Sequence, residues 1–269
     1  MKKYRLIPVL LLKNGWLVQS REFNRYQNIG NPTTSVRRVS EWGSDELIYL
    51  DISKNDGYDM RRNDQNYPNR QTFLEIIEDV SKETFMPITV GGKIRNLKDI
   101  EIRLTLGADK ISINSITLAN PDFIENAARE FGSQCIVVSI DAKKDKKNYY
   151  VYDHMNSKST NIDVLKFSSL VQNMGAGEII LNSVDRDGLG IGYDIELLTI
   201  VANKVDIPII ACGGVGDWHH FKEAFDKTKV DAVAAANIFH YRDQSVYLSK
   251  KYLFENNVSV RKPDLLKIN

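Results

Sequence analysis

The chain contains little cysteine, little net charge and no long apolar run. It has two cysteines among 269 residues and a formal charge of +1. Cys135 and Cys212 both lie in apolar runs, which suits reduced core residues of a cytoplasmic protein rather than a disulfide framework. The four histidines show no ligand spacing. The near-neutral charge argues against a nucleic-acid-binding surface, and no apolar run is long enough to span a membrane. We therefore expect neither nucleic acid nor membrane as a partner, and no cofactor or metal.

The first residues imitate an export signal. Lys2, Lys3 and Arg5 supply positive charge, and an apolar run follows at 6–12. That run is short and passes into Lys13 and Gly15 without the small residues that mark a cleavage site. The sequence predicts a first β-strand here instead.

Eight apolar, β-prone runs alternate with helical patterns along the chain. The predicted strands are 6–12, 47–51, 87–90, 110–114, 135–141, 178–182, 207–212 and 232–235. The predicted helices are 31–43, 72–82, 97–106, 120–131, 163–174, 194–203, 217–225 and 243–254. Two insertions interrupt the alternation: a polar loop around 53–69 and a hairpin around 146–161. This order predicts either a (β/α)8 TIM barrel or a doubly wound sheet.

An internal repeat favours the barrel. MPITVGGKI from Met86 resembles IPIIACGGVG from Ile207. Gly91 and Gly213 are separated by 213 − 91 = 122 positions, and Asp109 and Asp231 by 231 − 109 = 122. Two half-barrels related by a near-twofold axis explain one shift that applies to two motifs. We therefore predict a single (β/α)8 barrel domain over residues 1–269.

The repeat also predicts two similar anion sites at the barrel mouth, where parallel strands end. Backbone N–H groups in glycine-rich loops and at helix starts suit phosphate groups, and two such sites indicate a substrate phosphorylated at both ends. The alternative is that these glycines only form tight turns. The first site would use Gly92, Asn114 and Ser115; the second would use Gly188, Gly214, Ala236 and Asn237.

Several carboxylates follow apolar strands and are therefore expected at the same mouth. Asp141 ends the strand in VVSIDAK and is the candidate general acid or base. Asp51, Asp185 and Asp187 occupy similar positions, and some of them could instead order the rim loops. Asp194 is placed to cap the helix that follows the glycine-rich loop.

Charged residues stand at the beginning of four strands. Alternation places each on the same strand face as inward residues, so their side chains would meet at the barrel floor. Two positive and two negative charges sum to zero, and buried charges must pair. We interpret the set as a gate or a partner-binding surface, with exposed rim ion pairs as the alternative. The four residues are Arg5, Glu46, Lys110 and Glu178.

Longer motifs carry a family resemblance. FGSQCIVVSIDAK, GAGEIILNSVDRDG, GYD, IPIIACGG and GADKISIN together resemble the cyclase subunit of imidazole glycerol phosphate synthase over nearly the whole chain. The resemblance implies a half-repeated barrel that binds a bis-phosphorylated substrate at its top. It also implies that ammonia passes along the barrel axis from a glutaminase docked at the bottom as a heterodimer. The four charged residues match the family's ammonia gate, and Asp141 matches one of its two catalytic aspartates.

Four positions depart from the family pattern. Leu11 stands where the family has its other catalytic aspartate, and Gln19 stands where it has a substrate-contacting lysine. Lys93 replaces the third glycine of a Gly-Gly-Gly run, and Asn237 replaces a serine of the second phosphate site. These departures resemble paralogues associated with the amidation of surface-polysaccharide sugars, which work with a glutaminase and a separate sugar amidotransferase.

Three functional hypotheses follow from the resemblance. The first is an ammonia-receiving barrel that acts in sugar amidation, and the second is a genuine cyclase of histidine biosynthesis, a lyase. The third is a non-catalytic scaffold that activates its glutaminase. Because Leu11 cannot transfer a proton, the first hypothesis predicts very poor cyclisation of the histidine-pathway substrate.

Overall fold

A computed structural model describes residues 3–54, 58 and 70–266 of the chain. Its strands are β1 (Arg5–Lys13), β2 (Trp16–Arg21), β3 (Arg25–Gly30), β4 (Leu47–Asp51), β5 (Ile88–Gly91), β6 (Lys110–Ile113), β7 (Ile136–Asp145), β8 (Asn148–Asp153), β9 (Lys158–Asp163), β10 (Glu178–Ser183), β11 (Ile209–Cys212) and β12 (Ala232–Ala235). Its helices are α1 (Pro32–Glu41), α2 (Phe73–Glu83), α3 (Leu97–Thr105), α4 (Ser115–Ala119), α5 (Asp122–Phe131), α6 (Val164–Asn173), α7 (Ile195–Ala202), α8 (Trp218–Lys227) and α9 (Ser245–Glu255).

Eight parallel strands close into a barrel. Their order around it is β1, β4, β5, β6, β7, β10, β11 and β12, and β12 pairs with β1 to complete the circle. The (β/α)8 prediction is confirmed, and each of the eight predicted strands is a barrel strand. The run that imitates an export signal is β1, which pairs in parallel with both β4 and β12.

Local sequence signals begin several of the helices as predicted. Asn96 caps α3 with a capping box that Asp99 completes, and the Asn31 side chain accepts the N–H of Thr33 before α1. Asp194 caps α7 by accepting the N–H of Leu197. These caps place the start of each helix directly after the loop that leaves a strand's carboxyl end. No helix within the described ranges is long and apolar enough to cross a membrane.

The apolar core has two layers. The larger one lies between the strands and the surrounding helices. The smaller one fills the barrel lumen and contains Ile7, Val9, Ile48, Val137, Ile180, Ile210, Ala232 and Ala234. Four partly buried residues pack on its upper edge: Leu11, Leu50, Cys212 and Ala236. Leu11 therefore faces inward with Ile7 and Val9, as strand alternation predicts.

Two hairpins extend from the barrel strands. The first, β2–β3, follows β1 directly and pairs with it antiparallel. We did not expect it, because its strands carry polar residues and β3 is largely exposed. The second, β8–β9, continues β7 and corresponds to the hairpin predicted around 146–161. The insertion predicted around 53–69 lies mostly outside the described residues.

The internal repeat needs one correction. The equivalent strands β5 and β11 begin at Ile88 and Ile209, so their separation is 209 − 88 = 121. The structural counterpart of Gly91 is thus Cys212, and that of Lys93 is Gly214. Lys93 and Gly214 both have positive φ, at 56° and 100°. A lysine thus takes the backbone conformation that a glycine takes in the second half, so matching the two Gly-Gly pairs in the sequence shifts the repeat by one residue. Asp109 and Asp231 keep their equivalence, because they accept the N–H of Ile88 at 2.8 Å and of Ile209 at 2.9 Å.

Candidate functional site

The four predicted charged residues form a closed ring at the amino end of the barrel strands. Arg5 Nη1 donates to Glu46 Oε1 at 2.7 Å, and Arg5 Nη2 donates to Glu178. Lys110 Nζ donates to the remaining oxygens of Glu46 and Glu178, at 3.1 Å each. Each cation thus bridges both carboxylates, and the ring lies directly below the apolar lumen. This geometry differs from the exposed rim of ion pairs that was the alternative interpretation.

Burial and pairing set the electrostatics of the ring. The side chains of Glu46 and Glu178 are 10% and 7% exposed, and those of Arg5 and Lys110 are 22% and 23% exposed. Burial alone would lower the pKa of Arg5, but hydrogen bonds and charge from Glu178 and then Glu46 raise it above its ordinary value. The Arg5 guanidinium therefore keeps its charge at neutral pH and bridges Glu46 and Glu178 across the lumen floor.

Asp141 lies at the opposite end of the lumen, on β7. Asn114 Nδ2 donates to its Oδ2 at 2.9 Å, and Asn182 Nδ2 donates to its Oδ1 at 3.1 Å. Asn114 directly follows β6 and Asn182 lies in β10, so the two amides hold the carboxylate from both flanking strands. The residue is 5% exposed. Asn114, which we predicted in the first anion site, is used here to orient Asp141.

A histidine that the sequence analysis missed stands beside Asp141. His154 belongs to the turn between β8 and β9, and its Nδ1 lies 3.5 Å from Asp141 Oδ2. The hydrogen bond to Asp141 raises the pKa of His154, while burial acts in the opposite direction. His154 Nε2 also lies 3.4 Å from the Ser115 hydroxyl. No sequence spacing could indicate this contact, since the hairpin fold creates it.

The upper lumen near Asp141 is apolar on the side of β1. Leu11 packs with Leu50, Cys212 and Ala236 at this level. Burial raises the pKa of the Cys212 thiol to about 12, so it is protonated at neutral pH. The mouth therefore combines an apolar wall on the β1 side with Asp141 and His154 on the β7 side.

At the first predicted anion site, Lys93 is committed to an internal contact. Its Nζ lies 3.0 Å from Asp51 Oδ2, and the Asp51 side chain is fully enclosed. The Tyr58 hydroxyl donates to the same carboxylate at 2.9 Å, and Ser53 donates to its other oxygen. Asp51 thus orders the rim rather than facing the lumen. Gly92 approaches Asp51 closely, since a Cβ at Gly92 would meet the Asp51 carbonyl oxygen at 2.2 Å.

The second predicted anion site lies where three loops touch. Gly214 packs against the backbone of Gly192, and Gly192 N donates to Gly214 O at 2.8 Å. Gly188 packs against the Ser20 carbonyl, which a Cβ would meet at 2.4 Å. The glycines therefore permit close contacts between the loops at this rim. Ala236 and Asn237 begin the short turn after β12 at this rim.

The β2–β3 hairpin folds over this second site. Asn237 and Ser20 exchange two hydrogen bonds, and Tyr241 donates to Gln19 Oε1 at 2.8 Å.

Asp187 accepts the Ser20 hydroxyl at 2.8 Å and the Phe23 N–H at 3.3 Å. Burial raises the pKa of Asp187, while these two hydrogen bonds partly oppose the rise. Asp187 thus holds the hairpin, and Asp185 accepts the Lys144 N–H at 2.7 Å near the second hairpin.

A family model described as "Histidine biosynthesis protein" matches residues 5–245. The chain is 41% identical over 257 residues to the imidazole glycerol phosphate synthase subunit HisF of Dehalococcoides mccartyi, covering 96% of this chain and 97% of the relative. The proteins of the same name from a Hydrogenobaculum species and from Streptococcus mutans are 42% and 40% identical, over 258 and 262 residues. They cover 96% and 97% of this chain, and 98% and 100% of their own lengths.

Proposed function

The chain belongs to the histidine biosynthesis protein family, and on that premise we propose that it is the ammonia-receiving barrel of a glutamine amidotransferase complex. In this proposal it acts as the cyclase of an imidazole glycerol phosphate synthase, the name that its relatives carry. The observation that carries the proposal is the closed ring of Arg5, Glu46, Lys110 and Glu178 below an apolar lumen that leads to Asp141. A charged floor stabilises a barrel less well than an apolar plug would. A role in the passage of ammonia therefore explains the charged ring better than a role in stability does.

The glutaminase partner docks, in this proposal, on the end of the barrel that carries the ring. Ammonia released there passes the ring when an ion pair opens, and it crosses the lumen between Ile7, Ile48 and Ile180. An apolar lumen favours neutral ammonia over ammonium because burying an unpaired charge is costly. Ammonia thus reaches the mouth as a nucleophile, without dilution by bulk water.

A phosphorylated substrate occupies the mouth above Asp141. Its phosphate groups bind near Gly92 and Ser115 on one side and near Gly188, Gly214 and Asn237 on the other. With its two phosphate groups bound on opposite sides of the mouth, the substrate has its middle over the exit of the lumen. Asp141, held by two amides, then transfers a proton to or from the reacting atoms.

Sugar amidation is the second candidate, and Leu11 is the observation that favours it. Leu11 puts an apolar side chain at the position of the family's other catalytic aspartate, and Lys93 and Asn237 alter the two phosphate sites. The names of the relatives support the histidine-pathway cyclase more than they support this candidate. A separate sugar amidotransferase would be an additional partner only under the second candidate.

Complementation of a histidine auxotroph lacking its own cyclase subunit tests the proposal. We expect growth with the wild-type chain and its cognate glutaminase, and no growth with Asp141→Asn. Purified barrel should also turn over the histidine-pathway substrate with ammonium salts alone, which a scaffold that only activates the glutaminase could not do. Failure in both assays, with a folded protein, would refute the cyclase proposal and leave the sugar-amidation candidate and the scaffold hypothesis.

A further inference from the structure

The β8–β9 hairpin holds His154 rigidly above Asp141. Asp153 accepts the N–H groups of Met155 at 3.0 Å and of Asn156 at 3.2 Å, and these bonds fix the turn that carries the imidazole. The hairpin is continuous with β7 through the pairing of Ala142 with Val151. His154 and Asp141 therefore stand on one rigid element, and their 3.5 Å contact does not depend on a loose surface loop.

The imidazole also has access to the mouth. Its side chain is 39% exposed, whereas that of Asp141 is 7% exposed. The charged groups that act on it are Asp141 on β7 and Asp153 on β8, and the Ser115 hydroxyl at the start of α4 faces its other nitrogen. Both carboxylates favour the imidazolium form. His154 is thus an acid placed between the reaction site and solvent.

We propose that His154 and Asp141 work as a proton-sharing pair, with His154 supplying the acid that Leu11 cannot. The inference rests on the proposed function, since it concerns the condensation of ammonia with a carbonyl carbon of the substrate. A carbon–nitrogen bond forms and the carbon–oxygen bond breaks. The nitrogen sheds two protons in total, and the oxygen gains two and leaves as water.

The pair balances these transfers. Asp141 takes a proton from the attacking nitrogen, and the His154 imidazolium gives its Nδ1 proton to the oxygen, while Nε2–H stays towards Ser115. Asp141 then passes its proton across the 3.5 Å contact to the vacated Nδ1, which restores both groups. A second round removes the second proton from nitrogen and releases water. No oxidant, metal or further acid is required.

Two measurements on the full chain with its glutaminase test the pair. The first follows the His154 imidazole by NMR titration in wild type and in Asp141→Asn, assigned with His154→Gln. We expect the pKa of His154 to fall when Asp141 loses its charge. The second compares ammonia-dependent kcat for wild type, His154→Gln and His219→Gln. His219 is the matched control, because it also contacts an aspartate, Asp217 Oδ1 at 2.7 Å, on the exposed start of α8.

The expected result is a fall in kcat of about 10²-fold or more for His154→Gln, with KM nearly unchanged and the alkaline limb of the wild-type pH profile lost. His219→Gln should keep the wild-type rate and profile. A wild-type kcat and pH profile in His154→Gln would overturn the proposal. The same holds if the pKa of His154 is equal in wild type and in Asp141→Asn. If the wild-type barrel does not condense ammonia with the substrate, the proposed function fails, and the titration alone then decides whether the pair exists.

Discussion

Asn237 and Ser20 lie 217 positions apart in the chain and are joined by two hydrogen bonds. Asn237 Nδ2 donates to the Ser20 carbonyl at 2.7 Å, and the Ser20 N–H donates to Asn237 Oδ1 at 3.3 Å. The amide of Asn237 supplies the donor and the acceptor on two separate atoms. This pair thus joins the β2–β3 hairpin to the turn after β12.

Removing that pair should open the hairpin. We expect Asn237→Ala to lower the local opening free energy by about 1–2 kcal/mol, since a typical hydrogen bond contributes about 1 kcal/mol. Hydrogen exchange of the amides of β2 and β3 should accelerate, while β7 stays protected. The control is Asn148→Ala on the exposed end of β8. Unchanged exchange in β2–β3 would show that the contacts of Asp187 and Tyr241 keep the hairpin closed without this pair.

Neutralising one member of the charged ring should lower the stability of the protein. It should also affect glutamine-dependent turnover differently from ammonium-dependent turnover. We expect Glu178→Gln to lower the free energy of unfolding by about 2 kcal/mol, less than the roughly 3–5 kcal/mol of a fully buried pair, because Arg5 and Lys110 remain partly exposed. Glutamine-dependent turnover should fall more than ammonium-dependent turnover.

Urea unfolding and paired assays with glutamine and ammonium salts measure both effects of Glu178→Gln. Glu223→Gln is the control, since its bond to Lys227 is an exposed pair on α8 and such pairs contribute about 1 kcal/mol or less. Equal losses in both assays would argue against a gate at the ring.

Restoring a carboxylate at position 11 should help the proposed chemistry. Leu11→Asp places an acid in the apolar wall of Leu50, Cys212 and Ala236, so we expect a stability loss of about 1–3 kcal/mol. We also expect about a tenfold rise in kcat with the histidine-pathway substrate and ammonia, below the 10²–10⁴-fold range of a well-positioned acid–base group. Leu11→Asn controls for polarity without proton transfer. A folded Leu11→Asp variant no faster than Leu11→Asn would place position 11 away from the reacting atoms.

Two phosphate sites should be visible directly. In crystals soaked with phosphate, we expect density near Gly92 and Ser115 and near Gly214 and Asn237, because backbone N–H groups of glycine-rich loops and helix starts suit phosphate groups. Lys93 should keep its contact with Asp51 rather than turn to the ion, since that contact is buried. Empty density at both sites in concentrated phosphate would contradict the bis-phosphorylated substrate.

His240 should make the protein less stable in acid. Burial, with a further contribution from Arg38, lowers its pKa to about 4 in the folded state, below the value of about 6.5 for an unfolded chain. Between these values the unfolded chain binds the proton and the folded chain does not. The contribution of His240 to stability is therefore complete above about pH 6.5 and is lost as the pH drops towards 4, by on the order of 3 kcal/mol.

Urea unfolding between these pH values should show a smaller acid loss for His240→Gln than for wild type. His219→Gln on the exposed face of α8 is the control and should follow the wild-type curve. Identical curves for His240→Gln and wild type would mean that the folded chain accepts the proton at position 240 without cost.

The sequence by itself determined the barrel and its charged floor. The strands carry short apolar, β-prone runs, and the helices begin at residues such as Asn31, Asn96 and Asp194 that bond to their own first turn. These are local signals, so they need no knowledge of the remainder of the chain. Strand alternation placed Leu11 inward, and it brought Arg5 and its three partners to one end, because parallel strands begin at the same edge.

Only the tertiary structure decided what the mouth contains. Three contacts at the mouth join residues that are distant in the sequence: His154 with Asp141, Lys93 with Asp51, and Asn237 with Ser20 of the β2–β3 hairpin. Loop side chains have no periodicity that predicts their partners, and their positions follow from how each hairpin leaves its strand. The same limit explains the false match of Gly91 to Gly213. A one-residue difference is invisible in two glycine pairs, and only the positive φ shared by Lys93 and Gly214 reveals which backbone positions correspond.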